Sequence, residues 1–397
     1  MKPEISKDII YIGQDDRKTD LFEGQYALPE GMCYNSFLIR DAHTTIMDTA
    51  DIAVAEEWKA DLVQALDGAQ PEFLVAHHME PDHAALIVWA LSEYPSLTLV
   101  ASAKAIAMLP LYFPGYDFTG RTKAVAEGEV LELGAHRLQF FAAPMVHWPE
   151  VMVSWEASEG LLFSADAFGK FGVYAADPYD WACEARRYYF NICGKYGAPV
   201  QALLKKVSGL NVEKILPLHG PILEGEELKE AMRLYGIWSS YRSETPGVFI
   251  AHASFHGNTA TAAKCLEALL LQAGCPKVAV SDLARDDAAE AVEDAFRYPV
   301  TVVAATTYDG SYNPAAQHLL QTLKAKAWQN KTVAFIENGS WAPQAARLMR
   351  AELEGCKNLS FIEPAVTIKG ALKDGDIPAM KALAEALVQA VKDSQNS

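Results

Sequence analysis

Seven consecutive residues, His77-His78-Met79-Glu80-Pro81-Asp82-His83, carry the densest chemistry in the chain. His78, Glu80, Asp82 and His83 give the spacing His-x-Glu-x-Asp-His. In a loop after a strand, alternate side chains can converge on one metal while their neighbours face a second. Two imidazoles and two carboxylates form a donor set that suits iron, manganese or zinc. Burying so many titratable groups in so short a stretch without a cation would be costly.

One segment cannot close a two-metal site. His147, Asp166 and His219 are the candidates to complete it, each expected in a loop that follows a strand. A carboxylate such as Asp166 can give one oxygen to each of two metals. His77 reads as a supporting or structural residue. His43, His136, His252 and His318 read as capping or hydrogen-bonding histidines.

A second constellation lies near the middle of the chain. Ser254-Phe255-His256-Gly257-Asn258-Thr259 falls between an apolar strand and a helix. Small hydroxyl residues with Gly and Asn allow backbone N–H groups and hydroxyls to wrap a phosphate at a helix N-terminus. The loop matches neither Gly-x-x-x-x-Gly-Lys-Ser/Thr nor Gly-x-Gly-x-x-Gly, which argues against an NTP or dinucleotide site. Two later loops, Thr306-Thr307-Tyr308-Asp309-Gly310 with Tyr312 and Asn313 beyond, and Asn338-Gly339-Ser340-Trp341, also follow strands. Tyr308, Tyr312 and Trp341 offer flat faces to an isoalloxazine ring. Three such loops in this order favour FMN.

The elements that must position these residues fall into two groups. Ser243-Glu244-Thr245-Pro246-Gly247 is the best boundary, because Pro-Gly punctuates structure and a fresh strand follows. The expected domains are 1–246 and 247–397. Before the boundary, Ser36–Arg40 and Thr44–Asp48 read as a hairpin, and Phe73–Ala76, Leu97–Ala101, Val130–Leu133, Leu138–Ala142, Met152–Glu156 and Leu161–Ser164 as strands. Trp58–Leu66 and His83–Tyr94 read as helices. This mixture fits an α+β sandwich with helices outside two sheets. After the boundary, strands at 248–253, 277–281, 300–305, 331–336 and near 360–362 alternate with helices starting near Thr259, Asp287, Pro314, Ala342 and Pro378. That alternation implies a doubly wound parallel sheet.

Composition narrows the function. The net charge is −17, with −15 in residues 1–247 and −2 in 248–397, which argues against nucleic-acid binding. No run of 18 apolar residues occurs and the first residues are not those of a signal peptide, so the expected location is cytoplasmic and off the membrane. The six cysteines form no Cys-x-x-Cys pair, which excludes a rubredoxin-type iron site within this chain. All six are expected to be buried, reduced thiols.

With these residues in view, the chain resembles the flavodiiron proteins, also called A-type flavoproteins, over essentially its full length. The resemblance rests on the His78–His83 motif, on His147, Asp166 and His219, and on the Ser254–Thr259 loop. It implies a metallo-β-lactamase-like αββα sandwich followed by a flavodoxin-like sheet. It implies two non-haem irons, one held by His78, Glu80 and His147, the other by Asp82 and His219, with Asp166 bridging. His83 ligates in some members and turns away in others. Hydrolases of the metallo-β-lactamase fold usually carry a second His where Glu80 stands, so the carboxylate favours iron over zinc. Two departures touch the flavin loops: His256 replaces a more usual Tyr or Trp, and Asn338–Trp341 replaces a Gly-Ser-Tyr-Gly-Trp-like run.

The resemblance also implies reduction of dioxygen to water, or of nitric oxide to nitrous oxide, by a head-to-tail homodimer or a dimer of dimers. The electron donor would be external, a rubredoxin or a reduced deazaflavin. Tyr196 or Tyr26 is a candidate hydrogen-bond donor to the bound gas. Two rivals stand beside this reading: a zinc hydrolase with a flavodoxin-like appendage, and an electron carrier or redox sensor with a vestigial metal site.

Overall fold

The structure, a computed structural model, describes residues 3–174 and 181–395. The chain forms two compact units, Met1–Gly236 and Ile237–Ser397, and the division falls within the helix Gly225–Ser239.

The first unit is built on two six-stranded sheets. One runs in the order Ile9–Tyr11, Phe37–Ile39, Thr45–Met47, Phe73–Ala76, Thr98–Ser102, Thr122–Val125. The other runs Val130–Glu132, Arg137–Ala142, Met152–Glu156, Leu161–Phe163, Lys214–Leu216, Leu223–Glu224. Alternation decides what each face meets. Phe37, Ile39, Met47, Val75 and Val100 of the first sheet pack with Leu138, Phe140, Met152, Phe163 and Leu216 of the second. The intervening Leu38, Ile46, Leu74 and Leu99 are equally buried on the opposite face. There, helices such as Ala55–Leu66 present Trp58, Leu62 and Leu66. The result is an αββα sandwich.

Strands 73–76, 137–142, 161–163 and 214–216 each run directly into a loop that bears candidate ligands. The expected helix His83–Tyr94 is instead two, Pro81–Ala84 and Ile87–Glu93. The carbonyl of His83 accepts the Thr49 N–H at 2.9 Å and the Thr49 hydroxyl at 2.6 Å, which diverts it from the helical ladder.

In the second unit the parallel strands lie in the order Val278–Asp282, Val248–Ala253, Val300–Tyr308, Lys331–Asn338. The fifth position is shared by Leu359–Phe361 and Val366–Ile368, both paired with Lys331–Asn338. This 2-1-3-4-5 order is that of a flavodoxin-like sheet, with its switch point between the first and third strands. Helices Asn258–Gln272 and Ile377–Ser394 cover one face through Leu266, Leu270, Met380 and Leu387. The helix expected near Ala342 begins at Ala345, because the Thr307 hydroxyl accepts the N–H groups of Gln344 and Ala345 at 2.9 and 3.1 Å.

The expectation of six buried thiols needs correction. Cys33, Cys193 and Cys275 are buried, whereas Cys183, Cys265 and Cys356 are half-buried; none of the six is in a disulfide. Cys265 lies on a helix face that only partly meets the sheet core. None of the helices among the described residues is long and apolar enough to cross a membrane.

Candidate metal centre and flavin cleft

Four loops of the first unit bring the seven predicted side chains together as two touching groups: His78, Glu80, His147 and Asp166, and Asp82, His83 and His219. In the first group, Glu80 Oε2 lies 3.1 Å from both His78 Nε2 and His147 Nε2. Asp166 Oδ2 lies 3.1 Å from His147 Nε2 and 3.4 Å from His78 Nε2. In the second group, Asp82 Oδ2 stands 3.4 Å from His83 Nε2 and 3.3 Å from His219 Nε2. Asp166 Oδ1, the other oxygen of the same carboxylate, stands 3.3 Å from His83 Nε2. Asp166 therefore faces one group with each oxygen.

Several atoms converge without pairing. Both oxygens of Asp82, together with Asp166 Oδ1, are buried with no hydrogen-bond partner. The Nε2 atoms of His83 and His219 approach to 3.1 Å. Lone pairs and carboxylate oxygens crowded in this way repel one another unless a cation lies between them. The donor set of nitrogen and oxygen ligands, split by a bridging carboxylate, fits two divalent metals.

Neighbours fix the ligands. Glu150 Oε1 lies 2.8 Å from His78 Nδ1 and accepts the Met79 N–H at 3.0 Å. The Cys33 carbonyl lies 2.7 Å from His219 Nδ1. Each acceptor calls for a proton on Nδ1, which turns the lone pair of Nε2 toward the centre. His77, beside the first ligand, is held on both sides: Nδ1 lies 2.6 Å from Asp48 Oδ2, and Nε2 lies 2.8 Å from Ser154 Oγ. Non-glycine residues at positive φ gather on these loops, at Asp48 (54°), Met145 (67°), Ala165 (51°) and Phe168 (68°). Such backbone persists only where its surroundings over-determine it.

The electrostatics match that design. Burial alone would lower His147, but Asp166 and Glu80 outweigh it and raise the imidazole to about 9. Burial would raise Glu80, but His147 and His78 hold it down at about 2. His78 is raised well above the usual range: burial opposes this, and Asp166, Glu150 and Glu80 together prevail. The pocket is built to hold positive charge.

Aromatic rings wall one side. His219 has Phe22, Tyr34 and Tyr188 at centroid distances of 5.6, 5.9 and 5.6 Å. Tyr188 is fully buried and its hydroxyl has no hydrogen-bond partner. Its pKa is pushed well up by burial and then by charges that include Asp166, Glu80 and Asp82. This places a free phenol beside the ligands. Sequence reasoning named Tyr26 and Tyr196 for that place. The Tyr26 hydroxyl instead donates to the Asn191 carbonyl at 3.1 Å, and no hydrogen bond or ring contact among the described residues joins Tyr196 to a ligand. Glu150 and Tyr188 were both missed. Glu150 lies three residues beyond His147, a spacing that could have marked it; Tyr188 lies within an amphipathic helix and gives no signal.

Of the other histidines, His43 pairs with Glu72 and His136 with Asp41. His252 is buried, and its Nδ1 has no partner, contrary to the hydrogen-bonding reading.

In the second unit the three predicted loops line one cleft of about 770 Å³. It gathers Ser254, Phe255, His256, Asn258, Thr259, Thr306, Thr307, Tyr308, Asp309, Gly310, Asn338, Gly339, Ser340 and Trp341. Gly257 does not line it; it sits at the head of the helix Asn258–Gln272 with φ 84°, where a side chain would be strained. That helix start has no side-chain cap, so its first N–H groups are open to a ligand. The hydroxyls of Ser254, Thr259 and Thr306 are buried without a partner. Three orphaned hydroxyls beside an uncapped helix suit a phosphate. Thr307 and Asn338 do structural work instead: Thr307 caps the helix at Ala345, and the Asn338 amide bonds both backbone groups of Gly370. Tyr312 turns inward and is buried, because its short strand folds back on Thr307–Tyr308; it offers no flat face. Phe255 takes that place, its ring 4.8 Å from that of Tyr308, and Trp341 is 83% exposed.

A family profile described as "ODP family beta lactamase" matches residues 32–220, which contain all seven ligand candidates. An anaerobic nitric oxide reductase flavorubredoxin of Escherichia coli is 25% identical over 364 residues, covering 88% of this chain and 74% of its own length. In sequence the chain is similar to a flavorubredoxin, and in fold it is similar to the flavodiiron proteins. The flavodiiron protein from Giardia intestinalis superposes with a TM-score of 0.92 at 22% identity, over 99% of this chain and 98% of its own. The rubredoxin oxygen:oxidoreductase from Desulfovibrio gigas gives 0.91 at 23% identity, over all of both chains. The flavodiiron fold, with its lactamase-like and flavodoxin-like halves, thus spans the molecule.

Proposed function

We propose that this chain is a flavodiiron oxidoreductase that reduces dioxygen to water, nitric oxide to nitrous oxide, or both. The observation that carries the reading is Asp166, whose two oxygens face two separate groups of nitrogen and oxygen donors. His78, Glu80 and His147 would hold one iron, Asp82, His83 and His219 the other, and Asp166 would bridge them. Bound there, the irons would supply electrons and two adjacent coordination positions, and FMN would replenish those electrons.

The protein's own part is positional. Glu150 and the Cys33 carbonyl keep Nε2 of His78 and His219 facing inward. Phe22, Tyr34 and Tyr188 keep water from the His219 side, and Tyr188 holds a phenol proton for a small ligand at the pair. In the cleft, Ser254, Thr259 and Thr306 would hold the FMN phosphate, with Phe255, Tyr308 and Trp341 flanking the ring. The domain limits 1–246 and 247–397 remain our preferred division by function.

The external donor would be a rubredoxin or a reduced deazaflavin. The exposure of Phe255, Tyr308 and Trp341 supports a second copy covering the cleft, in a head-to-tail homodimer or a dimer of dimers in the cytoplasm. The test is metal and flavin analysis of anaerobically purified protein, followed by oxygen and nitric oxide consumption with a reductant. Iron with FMN and gas consumption is expected; zinc without flavin overturns the reading.

A further inference from the structure

Two rings connect a ligand imidazole to the protein surface. Trp148 sits edge-on to His78, with centroids 5.1 Å apart at 85°, and its ring also lies 6.1 Å from that of His147. Tyr112, the last residue of the helix Ala103–Tyr112, stacks on Trp148 at 6.4 Å and 26°. Tyr112 is 39% exposed. Indole and phenol side chains give up single electrons far more readily than phenylalanine. Electron transfer between rings falls steeply with distance, so near-contact rings make a usable path.

Among the described residues, the other side of the centre reaches no exposed ring through indole or phenol alone. Around His219, Phe22, Tyr34 and Tyr188 are all buried. The rings beyond Phe22 are Phe171 and Tyr188, and Phe22 and Phe171 are poor one-electron donors. Among the described residues, the only indole–phenol pair running from a ligand imidazole to an exposed ring is Trp148–Tyr112.

We propose that Trp148 and Tyr112 form a relay through which the metal pair draws an electron from solution when its normal reductant runs short. The inference rests on the oxygen-reducing reading given above. With iron bound and dioxygen as the terminal oxidant, Trp148 would give one electron to the centre and be left as a radical cation. Tyr112 then returns one electron to Trp148 and releases its phenol proton to water at the exposed hydroxyl. A low-molecular-weight thiol gives the resulting tyrosyl one hydrogen atom, and two thiyl radicals from two passes combine as one disulfide. Each pass thus moves one electron inward, and two passes oxidise two thiols.

The test uses iron- and FMN-loaded protein consuming oxygen with limiting reductant. Rapid-freeze electron paramagnetic resonance is expected to show an organic radical as reductant is exhausted, and added thiol is expected to quench it. In Tyr112→Phe the initial rate stays unchanged, the radical persists on Trp148 despite thiol, and peptide mass spectrometry finds more oxidised Trp148. Turnovers before inactivation fall severalfold, and Tyr112→Trp restores them. Oxygen consumption in the same run checks the functional reading separately. With consumption present, the absence of a radical, or identical Trp148 oxidation in wild type and Tyr112→Phe, overturns the relay alone. Absence of consumption by the loaded wild type overturns the functional reading on which it depends.

Discussion

One carboxylate oxygen of Glu150 serves two neighbours, lying 2.8 Å from the His78 ring nitrogen and 3.0 Å from the Met79 amide. It fixes both the ring and the backbone of the ligand loop. Glu150→Ala should lower metal affinity about 10- to 100-fold, as loss of a ligand's hydrogen-bond partner does elsewhere. Glu150→Gln retains an acceptor and should lose less. Chelator competition followed by metal analysis measures both; equal affinity in Glu150→Ala and wild type would sink the argument.

Among the described residues, Asp166 is the one carboxylate that faces both donor groups. Asp166→Ala removes it from each at once. The expected outcome is loss of magnetic coupling between the two irons and a fall in bound metal, read by Mössbauer spectroscopy and elemental analysis. An intact coupled pair in the variant would show that another group bridges.

Tyr188→Phe separates stability from turnover. Removing a buried hydroxyl that has no partner should leave stability unchanged or raise it by about 1 kcal/mol. Gas turnover should nevertheless fall. Urea midpoints and oxygen-electrode rates test the two halves, and unchanged turnover would return Tyr188 to a packing role.

The orphaned hydroxyls make a graded prediction for flavin. Thr259→Val keeps the shape of the helix start and deletes one of the buried, partnerless hydroxyls proposed to hold the phosphate. A single lost hydrogen bond to a charged group should weaken FMN binding by about 1.5–3 kcal/mol, roughly 10- to 150-fold. Thr307→Val should instead destabilise the second unit, because its hydroxyl caps a helix. Flavin fluorescence titration and thermal melts of the two variants should therefore move in different columns of effect.

Lys331 gives the pH prediction. It is buried, its ammonium donates to the Ser243 hydroxyl at 2.8 Å and the Phe296 carbonyl at 2.5 Å, and burial lowers it to about 7. An unfolded lysine titrates near its ordinary value of about 10.4, so between pH 7 and that value the unfolded chain holds more protons. Stability of the second unit should therefore rise with pH across this window and be flat below it. Lys331→Met should remove the rise. Denaturant midpoints from pH 6 upward, for both proteins, would expose a wild-type curve that does not climb.

Much of this is legible in the sequence. His78 through His83 announce a metal because their spacing exceeds what a folded loop can bury uncompensated, and the strand before them is plain. The main strands and helices of the second unit read closely, since their periods alternate cleanly there, but the short strands Ser311–Tyr312 and Val366–Ile368 gave no signal. The opening strands Ile9–Tyr11 and Gln14–Asp16 were invisible because they are only three residues long, and their pairing is long-range. The break at Ala85–Leu86 was hidden because Thr49, far off in sequence, takes the His83 carbonyl. Tyr312 was misplaced because a two-residue strand reversal sets which way its ring turns. Tyr188 stayed hidden for a different reason. A hydroxyl's missing partner is a property of the folded surroundings, not of any local pattern.

His77 gives the centre a mechanical character. Its ring spans from Asp48, just past a strand of one sheet, to Ser154, within a strand of the other. The first ligand is its immediate neighbour. One imidazole therefore ties the backbone that carries the first ligand to both sheets at once, so that the two halves of the sandwich share a single reference point beside the centre.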